Sequence, residues 1–194
     1  MKKILFAVAG SLMGLASSEI SAQSFDKADQ VFGFGFGIGG HFGVYKGYTS
    51  QTPAFGIMYE QGMRWDAGPG IIGLGAYLGY KSLRYKETII SPPFTYNYDY
   101  KWTYTIIGIR GGYHYEFLDN FDTYAGLLMS YNIASFSDKS SVNGGVYNYS
   151  GSSGSGLGLS LYAGGRYYFS DQWAAFLELG YGIAYLQLGA AYKF

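Results

Sequence analysis

From Gln30 to Phe194 the chain alternates, residue by residue, between bulky apolar side chains and small or polar ones. In Gln30–Ile38, Phe32, Phe34, Phe36 and Ile38 share one parity and Gly33, Gly35 and Gly37 the other. A period of two marks a strand, because successive side chains point to opposite faces. The same pattern predicts strands over 55–65, 72–81, 103–115, 125–134, 157–169, 173–182 and 184–194. In each, one face is rich in Phe, Ile, Leu, Tyr and Trp, and the other carries most of the glycine. These eight segments run about nine to thirteen residues, the length a tilted strand needs to cross a membrane.

The predicted connections alternate in length. Gly39–Pro53, Arg84–Lys101 and Ser135–Gly156 are long; Asp66–Gly70, Glu116–Thr123 and Ser170–Gln172 are shorter. The last turn, around Gly182 and Ile183, is very short and breaks the rule. Long loops at one end and short turns at the other are the layout of an outer-membrane barrel. The fold class expected is therefore all-β, an eight-stranded antiparallel up-and-down transmembrane β-barrel.

Which face meets water decides between a membrane barrel and a soluble one. Every mid-strand charge, Glu60, Lys81, Arg110, Arg166 and Glu178, has the parity of the glycines, and the apolar face carries none. A barrel of eight strands has room inside only for modest side chains. Glycine and paired charges inside, with aliphatics outside, solves the volume problem, and only lipid makes that exterior favourable. Aromatic residues also gather at strand ends, among them Trp65, Tyr80, Tyr113, Tyr167, Trp173 and Tyr192, as in an interfacial girdle.

Composition sharpens this picture. Charged residues make up 13% of the chain, about half the usual share, while aromatics reach 20%, which argues against disorder and against an ordinary soluble surface. The formal charge is zero, so no basic excess points to nucleic acid. There is no cysteine, which excludes disulfides, thiol nucleophiles and thiolate metal sites. Residues 1–22 read as a signal peptide: Lys2 and Lys3, then an apolar run from Ile4 to Ala16, then small residues ending at Ser21-Ala22. Cleavage there leaves a short N-terminal segment, 23–29, and a barrel over 30–194.

Motifs that carry chemistry elsewhere do not carry it here. Gly35-Phe-Gly37-Ile-Gly39-Gly40 matches a dinucleotide fingerprint in spelling, but it lies in a strand pattern with no following helix. His41 and His114 are far apart in the chain, with no Cys or second His near either. No Ser and His share a strand in a way that suggests a hydrolase. The expectation is no catalytic residue, no metal and no cofactor. The residues that stand out are of three kinds. The first is a lumen set, Glu60, Lys81, Arg110, Arg166, Glu178 and Gln187. A last turn centred between Gly182 and Ile183 sets Glu178 opposite Gln187, with Arg166 in diagonal reach of Glu178 and Arg110 at the depth of Glu60. A Glu60/Glu178–Arg110/Arg166 network would block steady flow. The second is a loop with alternating aromatics, Phe94, Tyr96, Tyr98, Tyr100 and Trp102, able to extend strands above the membrane and offer an edge or an aromatic platform to a partner. The third is the C-terminal strand.

That strand ends Gln187-Leu-Gly189-Ala-Ala-Tyr192-Lys-Phe194, with a polar residue, a glycine two later, an aromatic three later and a terminal Phe. This spacing resembles the assembly signal of bacterial outer-membrane proteins. With the signal peptide and the eight strands, the chain resembles the small bacterial outer-membrane β-barrel family, similar to the OmpA transmembrane domain and to OmpX. It departs from the first in having nothing after Phe194, and from the second in its short last loop. The resemblance implies residence in the bacterial outer membrane, outer-membrane lipids as surroundings, and insertion by the barrel assembly machinery. It implies no single activity. The leading functional expectation is a non-enzymatic barrel serving envelope structure or surface interaction, with an extracellular partner the residues do not identify. The alternative is a narrow or gated small-solute channel. A soluble lipocalin-like carrier would need charges on the other face.

Deleting Phe194, or replacing it with Asp, is expected to lower the amount of inserted protein several-fold in cells while sparing a barrel already folded in vitro. Membrane fractionation beside in vitro refolding checks this; normal outer-membrane levels of the deletion would count against the signal.

Overall fold

The computed structural model describes residues 24–41, 49–65, 67–152 and 154–194. The signal-peptide reading of 1–22 falls outside them. Eight antiparallel strands close a ring: β1 Gln30–Ile38, β2 Ala54–Gly62, β3 Ile71–Ser91, β4 Phe94–Leu118, β5 Phe121–Asp138, β6 Gly156–Tyr168, β7 Trp173–Gly180 and β8 Leu186–Lys193. Each pairs with its sequence neighbours. β1 closes the ring against β8, from Val31 opposite Lys193 to Ile38 opposite Leu186. Four short segments, Ser50–Gln51, Ser141–Val142, Gly145–Val146 and Tyr149–Ser152, add to the sheet at one end. Closure pairs the backbone amides that hydrocarbon could not solvate.

The pleat sorts the side chains as the alternation demands. In β1 the odd residues are buried and Phe32, Phe34, Phe36 and Ile38 are exposed. Leu127, Met129, Leu159, Leu161, Leu177 and Leu188 are likewise exposed, while Glu60, Arg110, Ser130, Arg166 and Glu178 are buried. The apolar face is the outside of the ring.

Four connections differ from the sequence reading, and the first is Ser135–Gly156, where β5 runs on to Asp138 and the short segments pair within the expected loop. The stretch Arg84–Lys101 is not a loop: β3 and β4 run on, paired without interruption to Ser91 opposite Phe94, and turn at Pro92-Pro93. The period of two continues through Phe94–Trp102, and Arg84 and Asp99 lock the rungs in a bidentate pair at 2.7 and 2.6 Å. The Glu116–Thr123 connection shrinks to a turn at Asp119-Asn120, with Asn120 at a positive φ of 64°, so Asp122 joins a strand. The last connection widens to Tyr181–Tyr185 but keeps its centre, and Glu178 faces Gln187. Ile183 and Ala184 of this turn fold inward and are buried under the ring's upper end.

Arg placed at Leu127, Leu159, Leu177 or Leu188 is expected to cost about 2–4 kcal/mol near the bilayer midplane. The same change at inward-facing Ser130 or Ser160 meets polar neighbours and follows no such depth rule. Urea unfolding of the barrel in lipid vesicles reads the difference; equal losses on both faces would refute the face assignment.

Candidate functional site

The glycines on the inner face leave room for long polar side chains. A Cβ at Gly73 would sit 2.7 Å from His114 Nε2 and 3.0 Å from Glu60 Oε1, and one at Gly56 would collide with Gln187 and Tyr77. The space so cleared holds a charge cluster. Glu60, from β2, accepts from Arg166 Nη2 of β6 at 2.9 Å, lies 3.7 Å from Arg110 Nε of β4, and faces His114 Nε2 at 3.2 Å. Asp122, from β5, takes His114 Nδ1 at 2.9 Å and lies 3.4 Å from Arg166 Nη1. Glu178, from β7, accepts from Arg110 Nη2 at 2.9 Å. Strands on opposite walls are thereby tied across the lumen.

His114 has a carboxylate near each ring nitrogen, Asp122 at Nδ1 and Glu60 3.2 Å from Nε2. The cluster sets three carboxylates, Glu60, Asp122 and Glu178, against the guanidiniums of Arg110 and Arg166 and the His114 ring. Aromatic rings line the cations: Arg110 lies 4.0 Å over the Tyr162 ring, and Arg166 lies 5.1 Å from Tyr124. A void of about 40 Å³ remains beside Arg110, Glu178, Tyr77 and Gln187, where Tyr77 donates to Gln187 Oε1 at 3.2 Å. That is room for one water molecule.

The residues singled out from sequence thus fall into groups. Glu60, Arg110, Arg166 and Glu178 come together, but Arg166 is held by Glu60 and Asp122, not diagonally by Glu178. Gln187 sits beside the cluster. Lys81 lies apart: opposite Tyr104 and above the buried Ile106, it donates to the Gly39 carbonyl at 2.7 Å near the upper mouth. Sequence reasoning missed His114 and Asp122. Asp122 shares the parity of inward-facing Gly126 and Ser130, but it fell in a stretch read as a connection. It also missed the N-terminal segment, which packs into the lower end of the ring. Phe25 is buried with its ring 4.3 Å from that of His114, Ser24 bonds to Glu116, and Lys193 Nζ donates to the Ser24 carbonyl at 3.0 Å.

Two features lie outside the lumen. At the C-terminus, Gln187 and Gly189 face inward while Tyr192 and Phe194 stack edge to face at 5.0 Å on the outer rim beside Trp173. The Phe194 amide donates to Gln30 at 2.9 Å. At the other end, Phe94, Tyr96, Tyr98, Tyr100 and Trp102 stand in a column on β4, two residues apart, so they share the face that lower down lines the lumen. Their successive rings lie 6.0–6.2 Å apart where they touch, and Tyr85 and Phe136 join from the flanking strands.

A family model described as "Outer membrane protein beta-barrel domain" matches residues 8–194. The chain belongs to that family. A comparison with curated proteins gives no match. Among solved structures, the chain is similar to Ail, the attachment invasion locus protein of Yersinia pestis. Identity is 14% over 87% of this chain and 100% of that one, with a TM-score of 0.44, or 0.48 for Ail in complex with the heparin analogue sucrose octasulfate. It is also similar to a de novo designed transmembrane β-barrel, at 15% identity over 89% of this chain and 99% of that one, TM-score 0.40. Family membership implies the bacterial outer membrane, where the apolar exterior finds its solvent.

Glu60 lies against Arg166, Arg110 and His114 at the centre of the cluster. Glu60→Gln is expected to cost about 3–5 kcal/mol, because it strands buried charges. Lys81→Gln, outside the cluster, should cost less, about 1 kcal/mol for its bond to the Gly39 carbonyl. Urea midpoints of the refolded barrels, followed by gel mobility with and without boiling, check the contrast; equal losses would deny the cluster its central place.

Proposed function

We propose that the chain is a non-enzymatic surface protein of the outer membrane, with a closed lumen below and an interaction platform above. What supports this is the division of labour along β4. Of its 25 residues, about ten suffice to cross the bilayer. The upper part, Phe94–Thr103, extends roughly 30 Å of strand beyond the ring. It carries β3 with it and gathers the short segments Ser141–Val142, Gly145–Val146 and Tyr149–Ser152 into one projecting sheet. Below, the lumen is filled by the charge cluster and closed by Phe25 at one end and Ile183 at the other.

The projecting sheet is braced as a rigid element. Arg84 and Lys86 both reach Asp99, at 2.6 and 3.6 Å. The hydrogen bond from Arg84 holds the Asp99 carboxyl below the usual carboxylate range, with the charge of Arg84 and then Lys86 adding to it. The pair persists where free carboxylates begin to protonate. Among the described residues, the neighbour on the outer side of β3 in this sheet is the stretch Thr49–Gln51, which pairs with Leu83 and Arg84 and bonds to Lys86 through the Thr49 hydroxyl. The aromatic face of this sheet suits an extended partner segment that seats alternate side chains on the rings. By this reading the barrel positions the sheet and does no chemistry.

Because the chain has no cysteine, single cysteines report position cleanly. Thr95→Cys should react with a membrane-impermeant maleimide on intact cells, and Lys27→Cys only after the membrane is opened. The purified protein in planar bilayers should show no large, steady conductance, and a Glu178→Ala, Phe25→Ala variant should show more. An unlabelled Thr95→Cys would remove the surface reading; large, steady conductance of the unmutated protein would promote the small-solute channel in its place.

A further inference from the structure

We infer that the outward face of the projecting sheet, just above the lipid-facing band, is a binding site for the phosphorylated saccharide headgroup of an outer-leaflet glycolipid. The inference starts from a reversal of polarity. On β4 the outward residues run Ile109 and Ile107, then Thr105, Thr103 and Lys101; on β5 they run Met129, Tyr131 and Ile133, then Ser135 and Ser137. Within two residues the exterior changes from aliphatic to hydroxyl and cation. The pairing sets these groups side by side. Thr103 stands opposite Ser135, Lys101 opposite Ser137 and Arg84, Ser135 opposite Ser152, and Ser137 opposite Ser150. Lys101, Thr103, Ser135, Ser137 and Ser150 line a groove of about 330 Å³.

The groove is furnished but unoccupied by the protein's own groups. Among the described residues, the Lys101 ammonium and the hydroxyls of Thr103, Ser135, Ser137 and Ser150 make no hydrogen bond or ion pair with another side chain. Arg84, Lys86 and Lys101 share this outward face with Asp99 as its acid, so the face is net positive. Four strands at about 4.8 Å spacing make a patch about 14 Å across, wide enough for two sugar rings. An ammonium and a partly exposed guanidinium suit phosphate, and a row of serine and threonine hydroxyls suits sugar hydroxyls. The groove is continuous with the lipid-facing band directly beneath it, at the height where the outer leaflet presents its headgroups. A lipid seated in the leaflet therefore reaches the groove without leaving the membrane, and one of opposite charge is favoured.

The inference rests on the outward orientation of the sheet in the proposed function, which the cysteine labelling reads separately. Its own test uses the folded protein in detergent micelles, with diphosphoryl lipid A as probe and native mass spectrometry to count bound lipid. The unmutated protein should retain one lipid A in preference to phosphatidylglycerol supplied at equal concentration, and lipid A stripped of its phosphates should bind more weakly. Lys101→Glu should weaken binding about tenfold, the size of one charge-assisted hydrogen bond. Ser135→Ala with Ser137→Ala should weaken it less, and Lys27→Glu at the opposite end should change nothing. Gel mobility with and without boiling shows that each variant is folded. Equal binding by Lys101→Glu and the unmutated protein, an equal loss from Lys27→Glu, or displacement of lipid A by phosphatidylglycerol on equal terms would each overturn the site.

Discussion

A backbone amide in hydrocarbon has no water to turn to, and the rest of this structure follows from that constraint. Every amide in the bilayer must find a carbonyl on a neighbouring strand, so the sheet must close. Closing it with eight strands fixes a narrow interior. The narrow interior fixes the composition of the inner face: glycine wherever a long side chain from the opposite wall needs space, as Gly73 makes way for His114 and Glu60. Charges brought into so small a space must be paired, and the Glu60, Asp122 and Glu178 carboxylates meet Arg110, Arg166 and His114 for that reason. The cluster is a consequence of closure before it is anything else, and by crossing the lumen it ties the walls that closure brought together.

The same reasoning explains what could be read from sequence. The alternation Phe32-Gly33-Phe34-Gly35 states both that a strand is present and which of its faces meets lipid, because in a closed ring the two faces have incompatible environments. The pairing of Glu178 with Gln187 follows from parity and the centre of one turn. The charges on the glycine parity mark the lumen. What was not legible depends on distance in space. That Arg166 lies against Glu60, 106 positions away in the chain, follows from the stagger of strands around the ring, which no local pattern carries. Asp122 was hidden by a turn drawn too long, although the even parity of β5 reaches it. Phe25 gave no signal, since a single aromatic before the first strand has no period to belong to.

The hairpin beyond the membrane shows the limit of reading loops by length. Arg84–Lys101 has the position of an extracellular loop and the alternation of a strand, and the alternation prevails. Once clear of lipid the two faces exchange roles: the outward one turns to Lys101, Thr103 and serine, and the inward one, with no lumen left to fill, carries aromatic rings. The level at which this exchange occurs, between Ile107 and Thr103, is the upper limit of the apolar band on the protein itself.

The seat of Phe25 has a consequence for the order in which the molecule is made. Ser24 meets Glu116 and Lys193 across 92 and 169 positions of chain, so the pocket that receives this segment is built from strands that are together only when β8 has closed against β1. Until then the first residues of the segment have nowhere to go, and closing so long a loop early would cost entropy without return. The stopper is therefore the last piece to be placed. Burial of Phe25 serves as a record of completion: a chain in which it is hidden is a chain whose ring has shut, and one in which a protease still finds it has been caught with its seam open.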